Sequence, residues 1–101
     1  MGPLLTRRER IDAVRVCCRW EDVAVPATRA RALRLVNHAD GLLEDVEVDP
    51  ERYLTLQRCR TCRHHWVLDC ISSGHAELFF VYPLRAEDPV AAFARVQPLG
   101  V

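Results

Sequence analysis

Two cysteines three positions apart, Cys59 and Cys62, stand between two stretches that alternate in polarity, and no other feature constrains the chain as much. A Cys-x-x-Cys turn brings two sulfurs within reach of one tetrahedral metal ion, or of each other. Tyr53-Leu54-Thr55-Leu56-Gln57 precedes the pair, and His65-Trp66-Val67-Leu68-Asp69-Cys70-Ile71 follows it. Period-two patterning on both sides predicts antiparallel neighbours with the cysteines in the tip that joins them.

The rest of the chain adds two more strands and three helices. Val46 and Val48 alternate with acids before an Asp49-Pro50-Glu51 turn. Ser72-Ser73-Gly74 predicts a turn into a strand over 75–82, which Pro83 ends. Upstream, Thr6-Arg7-Arg8-Glu9 has the form of a capping box, and Ile11, Val14 and Cys18 recur at helical spacing, so a helix is expected over 6–20. Pro26 opens a second expected helix over 27–40, whose apolar face is Ala32, Leu35, Val36 and Ala39 and whose stop is Gly41. Asp88-Pro89 reads as cap and first turn of a short terminal helix carrying Val90, Phe93 and Val96. The expected fold is one α+β domain over 1–101. It has an N-terminal helical hairpin, an antiparallel meander of about four strands bearing the Cys-x-x-Cys knuckle, and a short C-terminal helix.

That geometry limits the metal ligands. Cys70 lies eight residues beyond Cys62, on the order of 25 Å along an extended strand, and so falls outside the site. Cys17 and Cys18, at the end of the first expected helix, are the leading candidates to complete it, followed by His64, His65 and His38. Consecutive helical residues point about 100° apart, so one of the two adjacent cysteines serves better as a small buried hydrophobe. His64 and His65 point to opposite faces if both are in a strand, so at most one looks inward. Cys59, Cys62, a cysteine from the 17–18 pair and a further Cys or His would form a closed structural site for zinc, or iron in its place.

Composition narrows the function classes. All 14 basic residues are arginine, the formal net charge is zero, and half the residues are hydrophobic, as in a globular chain. No apolar run approaches the roughly 20 residues needed to cross a bilayer. The opening Met1-Gly2-Pro3-Leu4-Leu5 turns charged at once, which reads as no signal peptide, and the expected location is cytoplasmic. In such a reducing compartment Cys-x-x-Cys indicates metal or redox chemistry rather than a structural disulfide. A strand follows the motif where a thioredoxin-like site would open a helix. No catalytic base, HExxH helix or phosphate loop accompanies the histidines, so no enzyme is expected. The dense acids of 44–51 suggest a surface for a basic partner.

Cys59-x-x-Cys62-x-x-x-Trp66 resembles the knuckle of rubredoxin-like and zinc-ribbon domains. The chain departs from that pattern at Arg63, where the knuckle usually has glycine, and in having no second Cys-x-x-Cys. In general character it also resembles small bacterial immunity proteins, which neutralise a toxin by covering its active surface. These resemblances imply a structural zinc ion and a non-catalytic protein-interaction role, with a basic toxin as the concrete partner. Two alternatives stand beside it. One is a zinc-knuckle nucleic-acid binder using Arg58, Arg60 and Arg63 on phosphates; the other is a thiol-disulfide oxidoreductase acting through Cys59 and Cys62.

Overall fold

Four strands, β1 (Leu43–Asp49), β2 (Leu54–Cys59), β3 (His65–Ser73) and β4 (Ala76–Pro83), form one antiparallel sheet in the order β1-β2-β3-β4. The computed structural model describes residues 19–35, 41–73 and 76–99. Two short helices complete them: α1 (Arg29–Leu35) and α2 (Pro89–Phe93).

Each strand ends where local chemistry dictates. Asp49 closes β1 by accepting from the amides of Glu51 and Arg52, both at 3.1 Å, which folds 49–53 into a turn. Tyr53 then takes a left-handed φ of 55° before β2 begins. The register of β1 on β2 slips by one residue between Asp45 and Glu47, so Val46 forms a bulge in the edge strand. β3 and β4 pair over eight residues each, from Trp66 opposite Pro83 to Ser73 opposite Ala76.

Each face of the sheet carries its own buried cluster. On the first face Leu54, Leu56, Val67, Ile71, Phe80 and Tyr82 form the larger core, closed by Ala32 of α1 and Phe93 of α2. On the second, Leu43, Cys59, Trp66 and Val81 form a smaller cluster covered by Trp20, Val23 and Leu42. Fully burying each of the larger side chains contributes about 1.5–3 kcal/mol, so both faces matter to stability.

The expected helical hairpin is not present among the described residues, and the fold is dominated by its sheet instead. Of the expected helix 6–20, residues 6–18 lie outside the described residues; 19–23 form a turn in which the amides of Asp22 and Val23 both donate to the Arg19 carbonyl at 3.0 Å. The expected 27–40 helix begins later than Pro26 implies, at Arg29, because Thr28 is the residue that caps it. Its Oγ1 accepts from the Arg31 amide at 3.2 Å. It is described to Leu35, and 36–40 lie outside the described residues. The reason for the correction is physical: an amphipathic pattern states that a helix has a buried face, not what buries it. Here Ala32 packs on the sheet and not on a partner helix among the described residues. At the other end Asp88 caps α2 by accepting from the Ala91 amide at 3.1 Å, with Pro89 in the first turn. No helix among the described residues is long and apolar enough to cross a membrane.

Candidate metal centre

The turn from Cys59 to His64 joins β2 to β3 through a tight set of backbone bonds. The Cys59 amide donates to the His64 carbonyl at 2.8 Å, and the Arg63 amide donates back to the Cys59 carbonyl at 3.0 Å. The Cys62 amide points at the Cys59 sulfur, 3.5 Å away. An amide aimed at sulfur favours the thiolate, the form that binds metal. Arg63 adopts a left-handed φ of 65°. The departure from glycine at this position therefore leaves the turn geometry in place, at the strain cost of a β-carbon in that region.

Cys59 is fully buried and Cys62 half-buried, and neither is in a disulfide. His64 precedes β3, and its ring stacks on Trp20 with centroids 4.3 Å apart and planes 9° from parallel. Its Nδ1 is buried and has no hydrogen-bond partner among the described residues, and the same holds for the indole N–H of Trp66, two residues on. Buried polar atoms without partners are uncommon and call for an explanation. Trp20 is pinned over this turn from three directions. Its indole N–H donates to the His65 carbonyl at 2.7 Å, Arg85 packs over its ring at 5.3 Å, and Arg85 also donates to the Trp20 and Val23 carbonyls.

The arginines of the knuckle face a single carboxylate. Arg58 reaches Glu44 at 2.8 Å, with Arg60 and Arg63 farther off at 3.8 and 3.9 Å. The hydrogen bond from Arg58 holds the Glu44 carboxyl below its ordinary value, helped by the charges of all three guanidinium groups. Burial, then the nearby charges of Arg58 and His64, lowers the pKa of His65.

The structure thus brings Cys59, Cys62 and His64 into one turn and sets His65 at the start of β3. Cys17, Cys18 and His38 lie outside the described residues. Among the described residues no group of three or more Cys, His, Asp or Glu side chains gathers as a metal-binding set. The knuckle supplies two cysteine sulfurs, and a closed tetrahedral site needs two further ligands. Cys70 sits on β3 away from the turn; burial, then Glu77 and Asp69, raises the pKa of its thiol.

The acidic stretch is less available than its density suggests. Glu44 is engaged by the knuckle arginines, Asp49 by Arg52, and Asp45 accepts from the Gln57 amide group at 2.9 Å. The sequence reading missed Trp20 as the lid of the knuckle. Its signal was there: a tryptophan two residues after the Cys17-Cys18 pair. No family model matches the chain, and searches of curated proteins and of solved structures find no similar protein.

Proposed function

We propose that this chain is a non-catalytic protein-interaction domain whose knuckle is a structural zinc site built on Cys59 and Cys62. The observation that carries the reading is the turn itself. It has a buried cysteine whose sulfur receives a backbone amide, a second cysteine three residues on, and a left-handed residue directly after it. A zinc ion there would be held by thiolates and would tie the hairpin tip to its surroundings.

The remaining ligands come from Cys17 and Cys18 in this reading. Trp20, two residues after Cys18 in sequence, is fixed over the turn. His64, with its unpartnered Nδ1, is the alternative donor. The nucleic-acid reading is weaker because the three knuckle arginines are directed at Glu44 rather than left open for phosphates.

Metal analysis of protein purified without added zinc tests the proposal. About one zinc per chain is expected, as for a closed structural site, with loss on Cys59→Ser, on Cys62→Ser and on at least one of Cys17→Ser and Cys18→Ser. Chelator should lower the thermal midpoint. Substoichiometric metal together with indifference to chelator would sink it.

A further inference from the structure

The second face of the sheet is only half covered, and we propose that its bare half docks an apolar segment of another protein that carries arginine or lysine beside its anchor. This rests on the interaction-domain reading and names the surface and the partner chemistry. Cross-strand register sets Thr55, Leu68 and Val81 in one row and Cys70 and Phe79 in the next. Trp20 and Val23 close the Trp66 end of this face, but nothing described covers the other end. There Tyr53 is 75% exposed, Val48 58% and Phe79 51%, around half-buried Leu68 and Cys70. Together they line a groove of about 300 Å³. Three large side chains held open around one groove form a patch of the kind that marks interaction sites.

Charge selects the occupant. The lining includes two carboxylates, Asp49 and Glu77, and no basic residue. Asp49 is occupied by Arg52 and the turn amides, whereas Glu77 makes no ion pair among the described residues. Arg29 reaches the Ser72 carbonyl, across the ladder from Glu77, and makes no bond to that carboxylate. An apolar anchor seated between Tyr53 and Phe79 would strip water from Glu77, and a cation beside the anchor offsets that cost. A second copy of this chain fits poorly, because facing two such grooves sets acids against acids.

The test uses the full chain and a fluorescein-labelled peptide alternating leucine and arginine. Leucine–glutamate and glycine–arginine peptides serve as controls. Binding by the first alone is expected, weakened about tenfold by Phe79→Ser, as for loss of a central anchor, and severalfold by Glu77→Lys. Both changes are at the surface, and far-UV circular dichroism confirms that the sheet is retained. Equal binding by wild type and both variants overturns the proposal. So does a concentration-dependent dimer that Phe79→Ser dissociates, which would make the occupant a second copy. Amide resonances of Tyr53, Leu68 and Phe79 left unmoved by the peptide overturn it too, and would leave this chain's own N-terminal segment as the candidate cover. Metal content measured on the same samples separates the two readings. Full zinc without peptide binding removes the docking site alone, and peptide binding without zinc removes the clip alone.

Discussion

Asp69 is the only charged residue buried within the described sheet, and its two oxygens are both committed. The Cys70 amide donates to Oδ1 at 2.7 Å and the Leu99 amide to Oδ2 at 3.0 Å, so one carboxylate anchors the chain's C-terminal stretch to β3. Burial raises its pKa above the ordinary 3.8, against the opposing pull of those two amides. The folded chain therefore keeps a proton that the unfolded chain has released in the window between the two values. The stability from this group is full below the unfolded value and is lost as pH rises through the folded one. Moving from neutral to mildly acidic pH should stabilise the wild type relative to Asp69→Asn, which cannot titrate. Glu44 and Asp49, lowered by Arg58 and Arg52, lose stability as pH falls through their folded values, but they do so in both proteins and cancel in the difference. Urea denaturation of the pair across that range reads the gap directly; a constant gap refutes the assignment. This residue was legible in part. Val67, Asp69 and Ile71 share a parity, so a strand with Val67 and Ile71 inward must also carry the acid inward. Its partner Leu99 was not legible, since nothing local links residues thirty apart.

Among the elements, the strands and the terminal helix with its Asp88 cap could be read, and the N-terminal helical hairpin could not. Period two is a property of one strand, and a turn residue such as Asp49 acts within its own neighbourhood, so both are written locally. The position of α1 depends on β4 and the core it packs against, and α2 is held by a side chain from the other half of the sheet. Arg52 donates to the carbonyls of Phe93, Ala94 and Val96 while its Nε pairs with Asp49, and its guanidinium lies 5.0 Å over the Phe93 ring. A cation on the carbonyls that leave a helix satisfies acceptors the helix cannot and suits its dipole. For a helix of only five residues this anchor replaces the stability that length would give. Arg52→Ala should cost roughly 2–3 kcal/mol in chemical denaturation, since charge-assisted bonds contribute more than neutral ones. Arg52→Lys should recover less than half of that, because an ammonium cannot span Asp49 and three carbonyls at once. Full recovery by lysine would reduce the contact to simple charge.

At the scale of the whole molecule, the question is whether the two sheet faces fold as one unit. They share strands, so Trp66 of the knuckle cluster is followed directly by Val67 of the larger core. The knuckle cluster nevertheless has four buried members to the larger core's eight, and two buried polar atoms, on Trp66 and the neighbouring His64, have no partner among the described residues. It is the weaker half, and the proposed zinc clip acts there. The chain's two tryptophans, Trp20 and Trp66, both lie in this cluster, so indole fluorescence reports the knuckle half while far-UV circular dichroism reports the sheet. With zinc bound the two signals should trace one urea transition, the mark of two-state unfolding. With chelator the fluorescence transition should move to lower urea than the dichroism, because removing the clip loosens the knuckle while the larger core still holds. Coincident curves with an unchanged midpoint in both conditions would show that the faces cohere without metal, and the knuckle would then be a turn whose stability comes from packing alone.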